Sequence, residues 1–153
     1  MDVNPSQINA QQAIQNATDG SGQSFIDIVY GSGVKLSGTA CKFLHTPQLQ
    51  RLRQLRQLGC SHYVFHNANH TRHEHSIGVA STARQLAWRL HHLGLGLKEP
   101  WATEIGHRQR SSDIKCVEIA GLCHDLGHGP FSHMFENEFL PRVGYDSKGW
   151  THE

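Results

Sequence analysis

Two stretches of the chain concentrate side chains able to bind a cation or move a proton. They are His70-Thr71-Arg72-His73-Glu74-His75-Ser76 and Gly121-Leu122-Cys123-His124-Asp125-Leu126-Gly127-His128-Gly129-Pro130-Phe131-Ser132-His133. The chain carries 13 histidines, as many as its acids together, and they do not form a tag-like run. They gather at 62–75, 91–92 and 124–133. Histidine is the commonest metal ligand and the usual acid or base near neutral pH, so the spacing decides what such clusters mean. His75 lies one turn before a stripe of Val79, Ala83, Leu86, Leu90 and Leu93. His124 continues the face made by Ile114, Val117 and Gly121. Two helices would thus each bring a histidine to the interior.

With Asp125 beside His124, the set offers two imidazoles and one carboxylate to a single ion. Neighbouring helical residues point about 100° apart, so the ion would sit between their directions, at a helix end. Gly127, Gly129 and Pro130 supply such an end. A buried unpaired Asp is costly, and a divalent cation would satisfy all three groups at once. The competing reading makes each an ordinary hydrogen-bonded core or surface group.

The elements that must position these residues are readable in outline. Residues 1–24 are rich in Gln, Asn, Ser and Gly and offer too little apolar surface to offset their ordering entropy, so a disordered leader is expected. Phe25 to Tyr30, then Gly31-Ser32-Gly33, then Val34 to Leu36 has the punctuation of a short hairpin. Thr46-Pro47 opens a helix in which Leu49, Leu52, Leu55 and Leu58 recur until Gly59, with a hydroxyl at the cap and Pro at the first position. Arg51, Arg53 and Arg56 occupy its other side, either as a solvated face or as a surface attracting phosphate. A second helix is expected from near Thr71 to about Leu93, a polar connection over 97–111, and a third helix after Ser112. A brief helix is expected over Phe131 to Phe139.

Composition narrows the classes. At 153 residues the chain is one domain or part of one. A net charge of +1 argues against a protein that coats nucleic acid. The arginines at 51, 53 and 56 come with no aromatic ladder or recognised module, which weakens nucleic-acid binding further. Cys41, Cys60, Cys116 and Cys123 form no C-x-x-C pair and read as small core residues of a reducing compartment. Neither a signal peptide nor a run of about 20 apolar residues is present, so a nuclear or cytoplasmic protein is expected, not a secreted or membrane one.

At TPQLQRLRQLRQLG (46–59), Arg72 to Val79, GLCHDLGHGPFSHMF (121–135) and WTHE (150–153), the chain resembles the SAM-and-HD-domain family of deoxynucleoside triphosphate triphosphohydrolases. The resemblance covers residues 25–153. It implies an all-α fold, an HD-domain helical bundle incomplete in this chain, with a small N-terminal β-hairpin. It implies that His75, His124 and Asp125 hold a divalent metal, a further Asp far downstream completing the set; Asp146 follows too soon to be its counterpart. Iron, zinc or manganese suits these donors, and magnesium would arrive with the substrate.

The implied reaction is hydrolysis of a deoxynucleoside triphosphate to deoxynucleoside and triphosphate, by water attacking the phosphorus next to the sugar. By the same resemblance His128 and His152 transfer protons, with Glu136, where the family usually has Asp, holding His128. Arg72 and His133 contact phosphate oxygens, and Gln57 and Leu58 fit the deoxyribose. Gln50 and Arg53 match positions that bind an activating guanine nucleotide. However, His45 stands where an Asp is expected, and Gln23-Ser24 where the family has a basic segment. Histidine cannot replace a carboxylate accepting from the guanine edge, so activation of that kind is not expected. Deoxynucleoside triphosphates are the implied ligands, and a homo-oligomer or a full-length relative the implied protein partner. Two other readings stand beside this one. One is an HD phosphohydrolase for nucleoside monophosphates or cyclic nucleotides. The other is a catalytically inactive, truncated form that binds nucleotide or a full-length partner, with apolar surface left uncovered.

Overall fold

The computed structural model describes residues 22–27, 31–93, 104–131 and 133–145. Residues 1–21, most of the expected leader, lie outside these, as do Asp146, His152 and the rest of 146–153.

Strand β1 (Gln23–Asp27) pairs antiparallel with β2 (Gly31–Leu36). Gln23 and Ser24 thus belong to a strand and not to the leader. Gly31-Ser32-Gly33 is not the turn but the start of β2: Phe25 faces Val34 while Ile26 faces Ser32, leaving Gly33 as the extra residue of a bulge. Its φ of 111° is open to glycine and strained for other residues. Buried Val34 and Leu36 turn one face of the hairpin onto the helices.

Helix α1 (Gly38–Leu44) was not expected from the sequence. Its signal is Ser37, whose Oγ accepts from the Ala40 N–H at 3.2 Å, followed by Ala40, Cys41 and Leu44 on the buried face. A Ser at the N-cap satisfies one of the orphan amides of the first turn.

The single helix expected over 46–59 is broken. Helix α2 (Pro47–Arg51) passes into a 3₁₀ turn, Leu52–Gln54, and Leu55 is already extended (φ −108°, ψ 117°). A second 3₁₀ segment covers Gly59–Tyr63. The leucines recur every third residue, the period of a 3₁₀ helix and not of an α-helix, whose stripe must alternate three and four. Leu49 and Leu52 are buried while Leu58 is 49% exposed. The chain straightens because it pairs elsewhere: Arg56 bridges Thr71, the Gln57 N–H donates to His70 O, and the Arg72 N–H donates to Leu55 O. The arginines do not form a bare cationic face. Arg53 Nε donates to Gln50 Oε1 at 2.8 Å, Arg56 donates to Asn69 Oδ1, and Arg51 reaches the loop after the long helices.

Helix α3 (Arg72–His92) and helix α4 (Glu104–Cys123) form the frame. Helix α4 starts within the expected polar connection: Glu104, Arg108, Gln109 and Arg110 are good helix formers that show no apolar period. The two helices approach closely at Ala80 and Gly121, where a Cβ on Gly121 would lie 3.2 Å from the Ala80 backbone. The buried face of α3 is Ser76, Ile77, Ala80, Ser81 and Arg84. The stripe read from the sequence lies beside it: His75, Val79 and Ala83 are half-buried, but Leu86, Leu90 and Leu93 are 56, 40 and 71% exposed. On α4, Val117 is likewise 42% exposed, and the inner positions are Glu118 and Leu122, both at 0%. Leu36, Leu44, Leu49, Leu52 and Leu122 are fully buried, each contributing about 1.5–3 kcal/mol of gross burial. Of the cysteines only Cys41 is buried and Cys123 partly so; Cys60 and Cys116 are exposed, and all four are free. No helix of the described residues is long and apolar enough to cross a membrane.

Candidate metal centre

The first turn of α3 is fixed before it contributes any ligand. Thr71 and Glu74 form a reciprocal capping box: Glu74 N–H donates to Thr71 Oγ1, and Thr71 N–H to Glu74 Oε2 at 2.6 Å. With Arg72 N–H on Leu55 O at 2.8 Å, three amides at the helix start are satisfied. The rotation of Arg72, His73 and His75 is thereby set.

The second half comes from the end of α4. His124 is the first residue past Cys123, and its Nδ1 lies 2.8 Å from Gly121 O. A carbonyl only accepts, so Nδ1 carries the hydrogen, which leaves Nε2 as the nitrogen a metal would take. Two overlapping turns follow, Leu126 N–H to Cys123 O and His128 N–H to Asp125 O, each 3.1 Å, and they turn Asp125 back toward α3.

Asp125 is the centre of the cluster. Arg72 Nη1 donates to its Oδ2 at 2.7 Å, and His75 Nε2 lies 3.8 Å from the same oxygen. His124 Nε2 and His128 Nε2 lie 3.4 and 3.6 Å from Oδ1. The donor atoms of His75, His124 and Asp125 all fall within 4.8 Å of one another. Arg72, Asp125 and His128 are buried, whereas His75 and His124 are partly open. Burial lowers the pKa of His75, Asp125 opposes this, and His124, Arg72 and His70 add to the lowering. A neutral imidazole is the ligating form. Burial raises the pKa of the neighbouring Cys123 thiol, so it stays protonated and is a poor ligand. Two imidazoles and a carboxylate converging on one point fit a divalent metal. The family model for the HD domain matches residues 72–152, the span that opens with Arg72 and runs through this cluster.

The chain belongs to the HD-domain family. It is 48% identical over 127 residues to the human deoxynucleoside triphosphate triphosphohydrolase SAMHD1, covering 83% of this chain and 18% of that protein. A Dictyostelium discoideum homolog of SAMHD1 is 42% identical over 127 residues, 83% of this chain and 22% of that protein. A putative HD domain-containing protein of Acanthamoeba polyphaga mimivirus, L394, is 39% identical over 123 residues, 78% of this chain and 26% of that protein. The chain therefore spans about a fifth to a quarter of the length of these relatives.

Around the HD centre the remaining residues fall into three groups. His133, on the helical segment that runs through the π-turn Phe135–Phe139 to Leu140–Arg142, meets His128 edge-on with ring centroids 5.3 Å apart. Glu136 Oε2 lies 3.6 Å from His133 Nδ1. The chain reaches this position through Phe131, whose φ of 63° is rare for a bulky residue and marks a strained turn. Gly129 lies against Phe135, where an added Cβ would sit 2.7 Å from Cδ1. Gln57 lies beside the Arg56–Thr71 bridge with its Oε1 buried, and Leu58 is half exposed.

The third group makes its bonds between α1 and the α2 segment. Gln50 Nε2 donates to Leu44 O at 2.7 Å while its Oε1 accepts from Arg53. Buried His73 feels the charge of Arg53 and His45.

Two buried groups were missed in the sequence. Glu118 Oε1 accepts from Ser37 N–H at 2.9 Å and lies 3.9 Å from Arg84 Nη1. Its signal is an acid on the inner line from Ile114 to Leu122, matched by an arginine on α3.

Proposed function

We propose that the chain is the metal-binding part of a phosphohydrolase acting on deoxynucleoside triphosphates, releasing deoxynucleoside and inorganic triphosphate. The observation that carries this reading is the convergence of His75, His124 and Asp125 within 4.8 Å, with His128 buried against the same carboxylate. The relatives named as triphosphohydrolases supply the substrate class. A divalent ion held there, iron, zinc or manganese, would act as a Lewis acid toward a phosphate oxygen, with magnesium entering on the nucleotide.

The protein's own residues divide the remaining work. Water adds to the phosphorus next to the sugar and the 5′ oxygen leaves, so one proton is lost by the water and one gained by the leaving oxygen. His128 and His152 handle those protons, with Glu136 orienting the His128–His133 pair. Arg72 holds Asp125 in place and, with His133, offers donors to phosphate oxygens. Gln57 and Leu58 line the deoxyribose. Gln50 and Arg53 are already bonded to each other, and His45 accompanies them, so guanine-nucleotide activation is not part of this reading. Four free cysteines agree with a cytoplasmic or nuclear location.

The test is release of inorganic triphosphate from each deoxynucleoside triphosphate by the purified chain with manganese or iron, beside His124→Ala. Release that disappears in the variant is the expected result. A folded, metal-loaded chain that releases none would sink the catalytic reading.

Exposed Leu86, Leu90 and Leu93 along α3 favour a second reading, a non-catalytic piece that binds nucleotide or a full-length relative. Co-purification with such a relative, without turnover, supports it, whereas turnover by the monomeric chain rules it out.

A further inference from the structure

We infer that Arg51 is a positioning residue for the metal-binding turn, holding Asp125 and His128 in place from outside the HD motif. The inference rests on the proposed metal-binding role of the turn. Arg51 is the last residue of α2 and, in the sequence, one of three cationic residues read as a solvated face or a surface attracting phosphate. Its Nη2 donates to two backbone carbonyls, Leu126 O at 2.9 Å and His128 O at 2.7 Å. Those acceptors are 75 and 77 residues away, so the contact is tertiary. It joins the α2 segment to the chain just past the end of α4.

The placement has a physical consequence. The turns that close at Leu126 and His128 use the N–H groups of these residues. The carbonyls of the same two residues both converge on one guanidinium nitrogen. The residues on either side of His128 are Gly127 and Gly129, which leave the backbone many conformations. One nitrogen held by carbonyls two residues apart removes much of that freedom. A cation just past a helix C-terminus is also electrostatically favoured there, and charge-assisted bonds are stronger than neutral ones. With the carbonyls fixed, Asp125 Oδ1 stays 3.4 Å from His124 Nε2 and 3.6 Å from His128 Nε2. Among the described residues Arg51 bonds the backbone that carries these side chains and acts through it.

Arg53 and Arg56 provide the contrast on the same stretch. Arg53 bonds the side chain of Gln50, three residues before it, and Arg56 that of Asn69, 13 residues on; among the described residues neither bonds the turn. Only the first arginine of the three is thus tied to the site.

The experiment compares the full chain with Arg51→Ala, Arg51→Lys and, as control, Arg56→Ala, using manganese(II) alone as the probe. One arm measures its affinity by calorimetry, well below the melting temperature of each variant. The other measures hydrogen exchange of the Leu126 and His128 amides against those of Ile77 to Arg84. Arg51→Ala is expected to weaken manganese binding by about 10- to 100-fold, the usual effect of losing an outer support of a metal site. Exchange should accelerate at Leu126 and His128 and stay unchanged in α3. Lysine, which keeps a cation but loses the planar fork, should restore part of both effects. Arg56→Ala should match the unsubstituted chain. Manganese affinity within twofold of the unsubstituted chain in Arg51→Ala would overturn the inference. If the unsubstituted chain bound no manganese, the exchange arm would decide: unchanged exchange at 126 and 128 overturns Arg51 as the support of the turn. Metal binding without triphosphate release would remove the catalytic reading and leave Arg51 standing.

Discussion

Helices α3 and α4 are joined by two buried ion pairs of the same kind, an arginine from α3 and a carboxylate from the α4 side. Arg72 and Asp125 meet at 2.7 Å at one end, and Arg84 and Glu118 approach to 3.9 Å further along. All four side chains are nearly excluded from water. Their surroundings differ. Asp125 has three histidine Nε2 atoms within 3.8 Å and lies in a turn past the helix end. Glu118 lies mid-helix and accepts a backbone amide from Ser37. A carboxylate circled by lone-pair donors can share a cation, whereas one that receives an amide closes a fold. Residue type and burial alone do not distinguish function from structure; the neighbours do.

The largest expected effect tests the site end. Asp125→Ala leaves Arg72 charged, buried and without its carboxylate, which should destabilise the chain by about 3–5 kcal/mol and abolish manganese binding. Asp125→Asn, similar in shape, should lose the metal with a smaller loss of stability. Urea unfolding and calorimetry separate the two effects, and an Asp125→Asn variant that binds manganese normally would break the comparison. At the other end, Glu118→Ala removes both the acceptor of the Ser37 amide and the carboxylate beside buried Arg84, and should destabilise by about 3–5 kcal/mol. Glu118→Gln keeps that acceptor, and its manganese affinity should stay within twofold of the unsubstituted chain. A tenfold loss there would show that both pairs serve the metal.

The same contrast explains what was legible in the sequence. His75 and His124 could be found because each continues a helical face into a position where a polar group is unexpected, and Asp125 because it stands beside His124 at a helix end; the structure brings the three together. The helical class and the hairpin were legible from period and punctuation. The exact buried face of α3 was not: His75, Val79 and Ala83 mark a half-buried line, and the leucines beyond them are exposed. The 46–59 segment misled because leucines every three residues resemble an α-helical stripe, while long-range pairing of Leu55 and Arg56 to Thr71 and Arg72 straightens the chain. Glu118 was invisible because apolar period discards an acid. Arg51 read as solvated or phosphate-attracting because its partners are carbonyls, which carry no side-chain signature.

A smaller effect lies on His73, buried at the start of α3. Its pKa is lowered from 6.5 to about 4, by burial first and then by Arg53, with Glu74 opposing and His45 adding to the lowering. The folded form therefore binds a proton less readily than the unfolded chain. Stability from this group is fully present above pH 6.5 and is lost as pH falls through 6.5 toward 4. The loss should be about 3 kcal/mol. Urea midpoints measured from pH 7 to pH 4 with a chelator present should fall less steeply in His73→Leu than in the unsubstituted chain. Parallel slopes would remove His73 from the account.

The smallest expected effect isolates burial from distance. Arg142 Nη2 and Glu138 Oε2 are 2.9 Å apart, nearly as close as Arg72 and Asp125, and stand one helical turn apart. Their side chains are 77 and 57% exposed, so water screens the attraction and ordering two long side chains offsets most of it. Arg142→Ala should change unfolding free energy by less than about 0.5 kcal/mol, and 1 M salt should erase even that difference. The comparison with Asp125→Ala holds separation almost constant and varies only solvent. A shift from Arg142→Ala as large as that from Asp125→Ala would mean that geometry, not desolvation, sets the strength of ion pairs in this fold, and the distinction drawn between its two buried pairs would need another basis.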